Sequence, residues 1–350
     1  MALTFETLPA LLAHGHDCVI DVRSPAEFAE DHIPGAISLP AMSNEERARV
    51  GTIYKQVSPF DARKIGAAIV ARNVAAHLEG PLAGMTGGWR PLVYCWRGGQ
   101  RSGSVATILR EVGWRTETVA GGYQSFRRLV HAAVYEGAFP GRVVLIDGNT
   151  GTAKTGVLAR LAARGVQVLD LEGMAAHRGS LLGGMEGGQP SQRAFETRLA
   201  VAMAGLDPSR PVVVEAESSK IGKIVIPPVV WAAMCAAKRV EVVAPVEARA
   251  KYLVGAYADV IVDPERLAGM LQPLRYHRGH AVVDGWLALL ARADHRGLAE
   301  ALMVEHYDPA YAKSRAVHAP EVVATVRAER LDAAGVEALA AQVEAVVSGM

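Results

Sequence analysis

Apolar and polar positions along this chain come in blocks. Short, mostly apolar runs at 18–22, 91–94, 142–147, 211–214 and 240–243 have the length and β-branched content of buried strands. Between them lie stretches that read as helices, notably 45–49, 62–78 and 102–111, and two shorter strands at 37–39 and 116–119. Ser24 reads as a helix N-cap, with Pro25 at the first helical position and Glu27 closing a capping box. From about residue 287 the chain reads as helical, ending in an amphipathic helix over 333–347. Strand–helix alternation of this kind predicts a parallel α/β sheet, and here it occurs twice. The Gly- and Pro-punctuated stretch 137–141 is the expected linker, giving one domain over 1–136 and a second over 142–350 with a helical C-terminal part.

The composition is that of an ordinary globular protein, and 350 residues are enough for two cores. The 37 basic and 36 acidic residues nearly cancel, which argues neither for nor against nucleic acid. Cys18, Cys95 and Cys235 are too few for a disulfide framework, and without a Cys-x-x-Cys pair no metal site is expected. The N-terminus has no signal-peptide pattern and no apolar run reaches membrane-spanning length, so a cytoplasmic protein is expected.

Two loops carry candidate chemistry. In Tyr94-Cys-Trp-Arg-Gly-Gly-Gln-Arg-Ser102 a cysteine ends a strand and a Gly-rich turn leads into a helix. Loop N–H groups at a helix N-terminus, with Arg97 and Arg101 beside them, should depress the Cys95 thiol pKa and make it nucleophilic. Cys18 and Cys235 lie in apolar runs and read as structural. In Ile146-Asp-Gly-Asn-Thr-Gly-Thr-Ala-Lys-Thr155 a strand runs into a turn that fits the phosphate-binding loop at Gly148, Gly151, Lys154 and Thr155. Asn149, Thr150, Thr152 and Ala153 complete that loop. Its N–H groups would cradle phosphate oxygens, Lys154 would reach the terminal phosphate, and Thr155 is placed for Mg²⁺. Ala153 stands where glycine is usual, and this is tolerable only if φ there stays negative. Glu215 and Glu217, at the end of the 211–214 strand, are candidates to meet Mg²⁺ through water.

The segments Asp21-Val-Arg-Ser-Pro-Ala-Glu-Phe28 and Asp31-His-Ile-Pro-Gly-Ala36 resemble the rhodanese signature, which separates the cysteine loop from the Cys-x5-Arg phosphatases. The resemblance makes Asp21 and Arg23 structural and His32 a packing residue. Four further blocks, 168–180, 189–196, 214–222 and 306–311, together with the cysteine loop, resemble the tRNA 2-selenouridine synthases over residues 8–314. That resemblance implies a rhodanese-like α/β domain followed by a P-loop NTPase-like parallel α/β domain. It also implies a transferase acting on a wobble 5-substituted 2-thiouridine of tRNA. Geranyl diphosphate would alkylate the sulfur, and selenophosphate would then replace geranylthiol by selenium. On this reading the P-loop holds geranyl diphosphate, Cys95 with Arg97 and Arg101 handles selenophosphate, and a selenophosphate-supplying enzyme is a potential partner. Glu172, His177, Arg178 and Ser180 are expected to line the diphosphate or tRNA site. The alternative is a sulfurtransferase or Cys-x5-Arg phosphatase with an accessory P-loop domain.

For tRNA contact, Arg275, Tyr276, His277 and Arg278 combine basic and aromatic groups suited to phosphates and unpaired bases. Arg127 and Arg128 form a second basic spot that reads as solvated surface.

Overall fold

In the computed structural model, which describes residues 1–318 and 321–350, the apolar runs form two five-stranded parallel sheets. The first contains β1 (Ala2–Leu3), β2 (Cys18–Asp21), β3 (Ala36–Ser38), β4 (Pro91–Tyr94) and β5 (Glu117–Val119), in the order β1-β5-β4-β2-β3. The second contains β6 (Arg142–Asp147), β7 (Gln167–Leu169), β8 (Pro211–Glu215), β11 (Lys238–Val243) and β12 (Val322–Arg327), in the order β12-β11-β6-β8-β7. A small antiparallel hairpin, β9 (Lys220–Ile221) and β10 (Ile224–Val225), stands apart. Strands β4 and β6 lie centrally and are almost wholly buried, as parallel strands covered on both faces must be. Each is followed by one of the two candidate loops, so each chemical loop springs from the stiffest part of its sheet.

Two compact units result: Met1–Gly137 with Pro190–Ala204, and Ala138–Gln189 with Gly205–Met350. Residues 190–204 thus depart from the expected division, which placed everything after 142 in the second domain. The helix Gln192–Ala204 packs in the first unit because its polar groups are satisfied there. Glu196, 2 % exposed, pairs with Arg127 and accepts from Tyr135 Oη at 2.6 Å. Thr197 Oγ1 donates to Asp31 Oδ2 at 2.9 Å. Arg127 is therefore part of a buried ion pair, not a solvated basic spot, and a buried carboxylate without its partner is strongly destabilising.

The same unit holds a second buried charge network. Arg23 makes a forked contact with Asp21, its Nη2 lying 2.7 Å from Oδ2, and donates to the Asp31 carbonyl at 2.5 Å. Its guanidinium lies 3.9 Å from the Tyr123 ring centre. Tyr94 Oη donates to Asp21 and Tyr123 Oη to Asp31, each at 2.7 Å. These contacts tie the ends of β2 and β4 together. His32 stacks on Phe28 with ring centres 3.9 Å apart, and its Nδ1 lies 2.9 Å from the Phe28 carbonyl.

In the second unit the apolar faces of β6, β8 and β11 pack against the helices Lys154–Ala163 and Ala333–Ser348. The C-terminal part differs from expectation in two ways. Helices begin at Val246, well before 287, and β12 is a strand pairing in parallel with β11. As an edge strand it buries only Val326 fully, so its run Val-Val-Ala-Thr-Val-Arg lacks the continuous burial signal of the central strands. A separate helical core around Trp286, Leu271, Val283 and Met303 completes this unit.

Candidate active sites

Cys95 follows β4 and is 3 % exposed. Burial alone pushes its thiol up. The Ser102 hydroxyl, 3.2 Å from Sγ, outweighs this together with the N–H groups of Ser102 and Arg97 and the charge of Arg101. The net effect holds the thiol below its ordinary value, favouring the thiolate. The two arginines therefore act differently. Arg97 has an exposed side chain and contributes its backbone N–H. Arg101 contributes charge while held by Glu27, 2.9 Å away, which Arg47 also contacts at 2.9 Å. The loop is closed from behind by Gly122, whose N–H neighbour Tyr123 donates to the Cys95 carbonyl at 2.8 Å. Gly122 has φ +57°, and a Cβ there would stand 2.2 Å from that carbonyl, so only glycine fits.

The phosphate loop follows β6. Lys154 Nζ donates to the Gly148 carbonyl at 2.8 Å and lies 5.7 Å from the Tyr311 ring centre. Ala153 does not keep the negative φ expected of it. It takes φ +61°, a left-handed conformation costing an L-residue about 1–2 kcal/mol. Its methyl is buried in the sheet core, which offsets part of that cost. The loop thus keeps its shape without the usual glycine.

Around the loop lies a cavity of about 600 Å³. Thr150 to Thr155, Glu172, His177, Arg178, Ser180 and Glu217 all line it, so most of the sequence-derived candidates for this unit meet there. Gly148 and Asn149 sit at the start of the loop without lining the cavity, and Asn149 Oδ1 is buried with no partner among the described residues. Thr155 Oγ1 donates to Glu172 Oε2 at 2.9 Å. Glu215 lies behind, 1 % exposed, accepting from the Glu172 N–H at 2.8 Å. Burial, then the charges of Glu172 and Asp170, push its carboxyl far above the usual range. Burial also raises Glu217, with its hydrogen bond to Glu172 and that residue's charge adding to the effect, up to about 8. Neutral Glu217 hence donates to Glu172 at neutral pH.

The remaining wall comes from residues whose roles were not read from sequence. Tyr252, Tyr257, Tyr307 and Tyr311 face the cavity. Ser180 and Tyr257 share a hydroxyl hydrogen bond of 2.8 Å. Arg178 donates to Asp259 at 2.9 Å and stacks 5.0 Å from the Tyr257 ring centre; its Nη1 is buried with no partner among the described residues. Buried Arg249 donates to the Thr150 carbonyl at 2.9 Å and forks onto Asp308 at 2.9 and 2.6 Å. The 306–311 block thus braces the phosphate loop from behind. A π-helical turn, Met303–Tyr307, brings His306 and Tyr307 to the cavity. A smaller apolar pocket of about 60 Å³ adjoins it, sharing Thr150, Ser180, Leu253, Tyr257 and Tyr307 and floored by Leu298, Leu302 and Met303.

The 275–278 stretch is divided. Arg275 is taken up by Gln272, His280 and Asp284, and Arg278 by the His306 ring and carbonyl, each at 2.9 Å. Tyr276, 90 % exposed, and His277 face solvent. Among the described residues no three His, Cys, Asp or Glu side chains converge to hold a metal ion, and no helix is long and apolar enough to cross a membrane.

Because Glu217 ionises near pH 8, a polyanion beside it should bind best at lower pH. Affinity for inorganic pyrophosphate, followed by calorimetry, is expected to fall with rising pH above that point, by at most about tenfold per pH unit. Glu217→Gln should remove the fall. An unchanged slope in that variant would show that another group titrates.

Residues 4–129 match the rhodanese-like domain family, and residues 141–269 match the tRNA 2-selenouridine synthase AAA domain. The chain is 38 % identical to a tRNA 2-selenouridine synthase of Nitrosomonas europaea over 60 % of its length and 55 % of that protein's. It is 36 % identical to that of Aeromonas salmonicida over 77 % of its length and 69 % of the relative's. With that of Pseudomonas putida it shares 33 % identity over 91 % of its length and 90 % of the relative's. With its cysteine loop, its phosphate loop and these relatives, the chain belongs to the tRNA 2-selenouridine synthase family.

Proposed function

We propose that this protein replaces sulfur by selenium at a wobble 2-thiouridine of tRNA in two stages. In the first, the C2 sulfur attacks C1 of geranyl diphosphate. The C1–O bond breaks, diphosphate leaves with the electron pair, and the N3 proton is released. In the second, selenium of selenophosphate adds at C2 and geranylthiolate leaves with the C–S electrons, taking up a proton. Water then cleaves the Se–P bond to give phosphate and 2-selenouridine.

The observation that carries this reading is the apolar pocket opening from the phosphate-loop cavity. A nucleoside triphosphate has no use for a wall of leucine and methionine beside its phosphates, whereas a prenyl diphosphate needs both surfaces. The pocket is smaller than a ten-carbon chain, so Leu253, Leu302 and Met303 would repack as one enters. Lys154, the loop N–H groups and Arg178 Nη1 supply positive charge where the diphosphate departs. Mg²⁺ carried by the diphosphate would meet Thr155 and Glu172 and take its other ligands from phosphate and water. Selenophosphate would go to the Cys95 loop, whose N–H groups suit an anion. Tyr276 and His277 remain available to contact tRNA bases.

Nucleoside mass spectrometry on 2-thiouridine-containing tRNA, incubated with the protein, geranyl diphosphate and selenophosphate, tests this directly. The expected product is 2-selenouridine, with the geranylated nucleoside accumulating when selenophosphate is omitted. Untouched 2-thiouridine, or turnover of thiosulfate in its place, would reject the reading.

A further inference from the structure

The first unit contains a second cavity, of about 530 Å³, which shares Gln100 and Arg101 with the cysteine loop. Its size lies within the roughly 300–1,000 Å³ of ligand-binding pockets. One wall is a face of the helix Gln100–Glu111, where Gln100, Gly103, Ser104 and Thr107 recur at helical spacing. Facing it are Arg63, Gly66, Ala67 and Val70 of the helix Pro59–Glu79 at the same spacing, with Tyr54 at the rim. Arg101 also lines the cavity, so its charge reaches both this space and the Cys95 sulfur. The next residue, Ser102, bonds that sulfur. Cavity and thiol are served by consecutive residues of one helix.

The lining chemistry is selective. Its two charged side chains are both arginines, Arg63 and the Glu27-paired Arg101, and among the described residues no carboxylate lines it. Amide and hydroxyl groups stand along one wall, and a 55 % exposed tyrosine offers a free ring face. Guanidinium for phosphate, aromatic surface for a base and neutral polar groups for base edges are the parts of a single-stranded RNA site.

We propose that this cavity receives unpaired anticodon-loop nucleotides, held on the helix whose Ser102 bonds the Cys95 sulfur. The assignment rests on the reading of the chain as a tRNA-modifying enzyme. It places the RNA on the cysteine-bearing unit.

The test measures binding of the full-length protein to an anticodon stem–loop RNA bearing 2-thiouridine, by fluorescence anisotropy at several salt concentrations. Tyr54→Ala removes only an exposed ring and should weaken binding roughly five- to hundredfold, whereas Tyr54→Phe should retain it. Gly103 has nothing within 4 Å of a built Cβ, so Gly103→Leu projects into the cavity without a backbone clash and should also weaken binding at least tenfold. Arg63→Ala should lower the salt slope by about one. Wild-type affinity in Tyr54→Ala and Gly103→Leu would overturn the proposal and leave the cavity to a protein partner. If the wild-type protein itself fails to bind the RNA, the tRNA reading falls and this site with it.

Discussion

Lys154→Ala is expected to lower the rate of S-geranylation by about 10²- to 10³-fold, the usual cost of losing one preorganised charge at a leaving group. The side chain rests on the Gly148 carbonyl, 2.8 Å away, and on the proposed reading would turn from it to the diphosphate. Its loss should fall mainly on kcat, because the loop N–H groups still bind the ground-state diphosphate while the charge developing at the departing oxygen is no longer met. Single-turnover conversion of 2-thiouridine to the geranylated nucleoside measures this step alone. Retained geranylation with lost selenation would mean that the phosphate loop serves the selenium donor, and the assignment of the two loops would have to be exchanged.

Cys95→Ala gives the complementary result. Geranylated tRNA should still form, and selenation should drop about 10²- to 10³-fold, as for loss of one preorganised group at the site that receives the selenium donor. Ser102→Ala is gentler and more informative. The Ser102 hydroxyl is the largest influence offsetting the burial of the thiol, so its removal should move the thiol's titration upward. Alkylation by iodoacetamide followed against pH would show this as a midpoint displaced to higher pH, with the thiolate form recovered at alkaline pH. A Cys95→Ala protein that selenates at the normal rate would remove the cysteine loop from the mechanism.

Much of both loops was legible in the sequence for one physical reason. Strands β4 and β6 are central and buried on both faces, so their apolar runs, Pro91–Tyr94 and Arg142–Asp147, mark their ends residue for residue. Glycines and the reactive residue follow at once in each case. Ala153 misled because alanine is read as refusing positive φ. The cost of the left-handed conformation is modest, and burial of its methyl in the sheet core offsets part of it. The tyrosine wall and the Arg249–Asp308 brace were not legible, because they come from helices roughly 100 to 160 residues along the chain from the loop they serve. Nor can spacing tell which core a helix joins. Glu196 and Thr197 look like ordinary solvent-facing positions until Arg127, Tyr135 and Asp31 are known to meet them.

That last helix bears on how such a protein can be inherited. A gene cut at the Gly137 boundary would deliver a first unit without Gln192–Ala204, leaving Arg127, Tyr135 and Asp31 without the partners that this helix gives them. A gene starting at Ala138 would carry a helix with two polar side chains fitted to a fold it lacks. Neither half is a self-sufficient module for recombination to move. Once the chain had threaded a helix of the second sequence half back into the first, the two units could no longer be exchanged as separate blocks of sequence.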